Sequence, residues 1–173
     1  MNYEALNIAK SRGLNVLRAD LNLDDLPYEN EFDVVTAFEV IEHLYNTDNL
    51  IRQAYRALRP GGYFILTTPN LASWINRLLM LFGDLPYLYD VSLNYQLEKR
   101  PLQRSSSNSY QHLRLYTFKT LHKHLEIWGF KVIVSKGFTH AYALTHPLVK
   151  MLNRLFSLKK TLMTGCLIVA KKP

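Results

Sequence analysis

The chain has 173 residues, 48% of them hydrophobic and 20% charged, with a formal net charge of +7. That is enough apolar sequence for one domain with its own core, and too little charge for a disordered polymer. A single cysteine, Cys166, excludes an internal disulfide framework, and the longest apolar run, LLMLF at 78–82, is far too short to cross a bilayer. No basic start leads into an apolar leader, so the expected compartment is the cytoplasm, with no transmembrane segment.

Residues 4–12, EALNIAKSR, read as a helix closed by Gly13, and LNVLRA at 14–19 as a short strand leading into Asp20. FDVVTAF at 32–38 is β-branched and apolar on both faces, the pattern of a strand buried inside a sheet. A helix over 47–58 follows, capped by Thr47 or Asp48 and stopped by Pro60, Gly61 and Gly62. YFILTT at 63–68 is the next strand, broken at Pro69 and Asn70. Leu71, Trp74, Ile75, Leu78, Leu79 and Phe82 form an apolar helical stripe that Gly83 ends. Residues 85–111 lack periodicity and read as a loop. Thr117 caps a helix running to Gly129, FKVIVSK at 130–136 is a strand, and a helix-like piece at 147–158 precedes the closing strand GCLIVAKK. The alternation predicts one α/β domain over 1–173: a Rossmann-like, mostly parallel sheet with helices on both faces.

In such sheets ligands bind beyond the carboxyl ends of the strands, and Asp20, Glu39 and Asn70 all follow predicted strands there. The segment FEVIEHL is the densest cluster. If the chain turns helical after Phe38, then Glu39, Glu42 and His43 share one face at i, i+3 and i+4. Two hard oxygens and an imidazole suit Mg²⁺ or Mn²⁺ better than a structural zinc. A solvated helix start, where acids complement the macrodipole, is the alternative reading.

FDVVTAFEVIEHL, LRPGGYFILTTPN, HLRLYTFKTLHKHLEIWGFKV and CLIVAKKP, in that order, resemble the class I S-adenosylmethionine-dependent methyltransferases. The E-x-x-E-H form resembles the ubiquinone-pathway O-methyltransferases and the small-RNA 2′-O-methyltransferases. The resemblance implies that Glu39, Glu42 and His43, with His112 as a later histidine, hold a divalent cation. It further implies that Asp20 and the Leu21 backbone bind adenine and that Phe38 lines the cofactor pocket; where no metal is used, His43 is the candidate general base.

The family also opens with a G-x-G-x-G turn, and no two of this chain's seven glycines are separated by one residue. The expectation is therefore a chain truncated at its amino terminus, with an exposed sheet edge open to self-association. The expected activity is methylation of a hydroxyl on a small molecule or glycan. The alternative is a non-catalytic methyltransferase-like module that binds a partner.

Charge is distributed unevenly: residues 19–51 carry nine acids and no Lys or Arg, whereas residues 127–173 carry eight Lys or Arg and no acid. A basic end can attract nucleic acid or an anionic membrane. Nucleic acid is the weaker expectation, because no aromatic platform is interleaved with the basic residues.

Overall fold

The computed structural model describes residues 3–87, 89, 91–92, 112–140 and 147–173. Most of the loop expected at 85–111, and His146, lie outside the described residues. Four strands form one sheet: β1 (Phe32–Phe38), β2 (Leu58–Pro69), β3 (Lys131–Phe138) and β4 (Gly165–Lys171), in the order β1-β2-β4-β3. β1 runs parallel to β2, and β4 is antiparallel to both β2 and β3. The sheet is thus mixed, not mostly parallel, because the closing strand, reached after α5, enters between β2 and β3 running opposite to both.

Among the described residues five α-helices accompany the strands: α1 (Tyr3–Ser11), α2 (Thr47–Ala57), α3 (Trp74–Leu81), α4 (Phe118–Ile127) and α5 (Pro147–Phe156). α2 contributes Leu50, Ile51 and Ala54, and α4 contributes Leu121 and Leu125, to a single buried cluster with Ala37, Phe64, Leu66, Cys166, Ile168 and Ala170. Those sheet residues recur at alternate positions, so both helices lie on one face. The other face, reached by Val34, Phe38 and Tyr63, leaves all three exposed, and α1 buries none of its residues. The expectation of helices on both faces is corrected accordingly.

The predicted strand at 14–19 does not form. Leu14, Val16 and Leu17 are exposed and have no sheet partner to satisfy the backbone, so local strand propensity alone does not hold an extended run. Neither does Pro60-Gly61-Gly62 act as a stop. β2 begins at Leu58, and the pairing passes from Phe32↔Leu58 to Val34↔Tyr63, so residues 59–62 bulge opposite Asp33. Gly61 serves the bulge with φ +83.

The helix caps follow side-chain chemistry. Asn46, one residue earlier than expected, accepts the Asn49 N–H to start α2, and Thr117 starts α4 through a reciprocal box with Thr120. α3 starts at Trp74, after a Ser73 cap, instead of Leu71, because Leu71 is engaged by the Tyr116 carbonyl.

Candidate active site

At the carboxyl end of β1 the chain does not become α-helical. Glu39 takes φ +53, and a single 3-10 turn covers Ile41–His43. This changes where the three polar side chains point, and the expected shared helix face does not exist. Glu42 turns inward and is completely buried, whereas His43 is exposed. Glu39 N–H is held at the end of β2 by the Thr67 carbonyl (3.1 Å) and hydroxyl (3.2 Å).

His112 is brought to this turn by backbone. The Leu113 and Arg114 N–H groups donate to the Glu42 carbonyl at 2.7 and 3.1 Å, which docks the segment entering α4 onto the 3-10 turn. The His43 and His112 rings then meet edge to face with centroids 4.6 Å apart. Donor atoms of Glu42, His43 and His112 all lie within 4.8 Å of one another. Glu42 Oε2 accepts from the Thr68 hydroxyl at 3.0 Å; Oε1 accepts no hydrogen bond and lies 4.0 Å from His43 Nε2. Burial, reinforced by the Glu39 charge, pushes the Glu42 carboxyl up to about 7.

Glu39 is engaged elsewhere. Its Oε2 lies 3.0 Å from Nε2 of His140, and His140 Nδ1 lies 3.2 Å from the Thr164 hydroxyl. Burial raises the Glu39 carboxyl, but the hydrogen bonds with His140 and Thr67 and the nearby imidazoles outweigh it and hold the group below its ordinary range. His140 was not among the residues the motifs single out. The signal for it is topological: β3 runs so that Phe138 pairs with Gly165, at the same rim as the ends of β1 and β2.

Of the residues expected at the cofactor, Asp20 is exposed and forms a local turn. Its Oδ1 accepts the Asn22 N–H (2.9 Å) and side-chain amide (3.1 Å). Asn22 in turn accepts the N–H groups of Tyr45 and Asn46, and Asn49 donates to the Leu21 carbonyl, so the loop after Asp20 is fastened to the start of α2. Leu21 and Val40 border an apolar concavity of about 310 Å³ along β1, with Val35, Ala37, Leu50 and Ala54. Asp20, Phe38, Glu42, His43 and His112 do not border it. Phe38 stands 55% exposed on the uncovered face of the sheet. Asn70 is structural: its amide donates to the Thr161 and Met163 carbonyls, tying β2 to the approach to β4.

Acids and imidazoles thus gather at one rim of strand ends of a partly parallel α/β sheet, the place where this architecture binds its ligands. Residues 2–135 match the model of a methyltransferase domain, and the chain belongs to the S-adenosylmethionine-dependent methyltransferase family. A Mycolicibacterium smegmatis protein named "Probable S-adenosylmethionine-dependent methyltransferase" is 38% identical over 74 residues, 40% of this chain and 28% of its own length. The mitochondrial ubiquinone biosynthesis O-methyltransferase of Candida albicans is 33% identical over 60 residues, 34% of this chain and 18% of its own. The matches thus span less than a third of these relatives. Among solved structures, an S-adenosylmethionine-dependent methyltransferase from Thermotoga maritima aligns over 99% of this chain and 70% of its own, with TM-score 0.61 and 17% identity. One from Archaeoglobus fulgidus aligns over 99% and 73%, with TM-score 0.60 and 18% identity. Both share the fold.

For S-adenosylmethionine, Asp20 and Phe38 are both exposed, but Asp20 Oδ1 is already engaged by Asn22 and neither residue borders the concavity lined by Leu21. The seven glycines include no G-x-G pair that would let backbone approach the methionine half. For a divalent cation, the two imidazoles and the buried carboxylate with an unbonded oxygen form a compatible set of three donors.

Proposed function

We propose that this chain carries the acceptor-activating part of an S-adenosylmethionine-dependent O-methyltransferase acting on a hydroxyl of a small molecule or glycan. The observation that supports it is the convergence of Glu42, His43 and His112 at the strand-end rim of a chain from this family. S-adenosylmethionine, when bound, supplies a methyl group made electrophilic by its sulfonium. A divalent cation such as Mn²⁺ or Mg²⁺, when bound, supplies a Lewis acid that lowers the pKa of a neighbouring hydroxyl.

The chain's own residues do the rest. Glu42, His43 and His112 would hold the cation; with Glu39 kept by His140, this donor set is richer in nitrogen than the motif suggests and would favour Mn²⁺ over Mg²⁺. Asp20, Leu21 and Phe38 orient the adenosine. Where no cation is used, the exposed His43 imidazole takes the acceptor's proton, and the Glu42 carboxylate, 4.0 Å from Nε2, stabilises the resulting imidazolium. Calorimetric titration of the chain with Mn²⁺ and with S-adenosylmethionine tests both parts. Heat from Mn²⁺ that His112→Ala abolishes supports the cation set; silence toward both ligands rejects the reading for this chain.

A second reading, partner binding, rests on a different feature. β1 pairs with β2 on one side, and its other edge borders the 310 Å³ concavity. An extended strand from a second chain fits such an edge. Sedimentation velocity separates the readings: concentration-dependent association weakened by Val34→Lys favours partner binding, and a monomer at all concentrations removes self-association.

A further inference from the structure

α5 is apolar on more than one side: Val149, Leu152 and Phe156 are half-buried, and a second apolar line is left exposed. Its apolar residues Leu148, Met151 and Leu155 recur at i, i+3 and i+7, the spacing that normally faces a core, yet they are 54%, 61% and 59% exposed. The residue it buries is Asn153, whose Oδ1 accepts the Trp74 indole N–H at 2.7 Å while Phe156 stacks on the same indole. Trp74 belongs to α3. Leu78 and Leu81 follow it at i+4 and i+7, so the line that docks α3 onto α5 continues into exposed leucines, with Phe82 beyond them 79% exposed.

The charged residues on α3 and α5 and directly after α5 are basic, with the exposed Asp84 just beyond Phe82 as a charge of the other sign. Lys150 and Arg154 stand four apart on α5, Lys159 and Lys160 follow it, and Arg77 lies on α3. From residue 127 to 173 there is no acid to neutralise them. An apolar stripe flanked by long cationic side chains, on a helix of ten residues, is suited to lie in the plane of a membrane surface, the leucines in the acyl boundary and the cations at lipid phosphates. No helix among the described residues is long and apolar enough to cross a membrane. RNA would use the cations but gain nothing from exposed leucines and methionine, since it rewards stacking rings instead.

We infer that α3 and α5 form a docking face for an anionic lipid bilayer. It bears on where the chain works and does not depend on the proposed chemistry. The test is co-sedimentation of the whole chain with phosphatidylglycerol-rich vesicles and with pure phosphatidylcholine vesicles at low salt. The chain should bind the first and not the second. Lys150→Gln with Arg154→Gln should weaken binding by roughly 30-fold, and Met151→Ser with Leu155→Ser by about tenfold or more. All four positions are exposed, and unchanged circular dichroism melts would show that each variant folds. Three results would overturn the inference. They are absence of binding to anionic vesicles, binding indifferent to Met151→Ser with Leu155→Ser, and vesicle-free dimerisation that the same change abolishes, which would give the face to a second copy.

Discussion

Glu39 Oε2 lies 3.0 Å from His140 Nε2, joining residues 101 apart in sequence across the rim of the sheet. The contact anchors the chain leaving β3 to the chain leaving β1. It holds the side chain of Glu39, whose backbone, bonded to Thr67, takes a left-handed conformation that non-glycine residues rarely adopt.

Removing the imidazole should therefore destabilise the protein. His140→Ala leaves a half-buried carboxylate without its main partner, and we expect a loss of about 1–2 kcal/mol in urea unfolding at neutral pH. Glu39 is held below the ordinary glutamate value of 4.5, so its contribution is present above 4.5 and fades as pH falls through the lower folded value. His140→Ala and the parent should thus converge in stability toward strongly acidic pH. A difference that persists there would mean the imidazole acts through packing alone.

Glu42 should behave in the opposite sense. Its folded value of about 7 lies above the ordinary glutamate value of 4.5, so the fold favours the neutral acid. Stability from this group is full below 4.5, declines as pH rises, and is lost above about 7. The shift sets an upper bound of about 3 kcal/mol on that loss. Glu42→Gln, which keeps the shape and stays neutral, should melt higher than the parent above pH 7 and match it in acid. Adding Mn²⁺ should raise the melting temperature of the parent and leave the variant unmoved.

How much of this could be read from the chain alone differs from element to element. β1 was legible to the residue, because FDVVTAF has no competing pattern, and the α4 start was legible because Thr117 and Thr120 satisfy each other locally. The segment at 14–19 has similar local propensity and failed, since a strand exists only with a partner and propensity does not supply one. The acid and histidine positions were visible in FEVIEHL, but their directions were not. These depend on the positive φ at Glu39 and on Thr67 holding its backbone, neither of which spacing encodes. His140 was invisible for the same reason: only the antiparallel return of β3 and β4 brings it to Glu39.

The histidine at 112 offers a prediction about the cation set that leaves the local backbone docking intact. It lies in the segment docked through the Leu113 and Arg114 N–H groups, which side-chain truncation leaves in place. His112→Ala should lower Mn²⁺ affinity by on the order of 10–100-fold or more, since even groups outside the ligand shell contribute that much. His122→Ala, whose ring contacts Ser135 instead, should leave the affinity unchanged. Equal affinity for both variants would exclude His112 from the cation set.

Asn70 separates structure from chemistry at the same rim. It is completely buried; its amide donates to the Thr161 carbonyl at 2.9 Å and the Met163 carbonyl at 2.8 Å, and its Oδ1 accepts the Ala72 N–H at 3.0 Å. Asn70→Ala strands all three backbone groups, at an expected loss of about 3 kcal/mol in chemical unfolding. Asn70→Asp keeps the volume and the bond from Ala72 but turns two attractive contacts into an anion facing two carbonyl oxygens, so it should be the more damaging change at neutral pH and partly recover in acid. Because Asn70 contributes no donor to the Glu42, His43 and His112 set, the surviving folded fraction of either variant should bind Mn²⁺ as the parent does. A loss of binding out of proportion to unfolding would place Asn70 within the site itself.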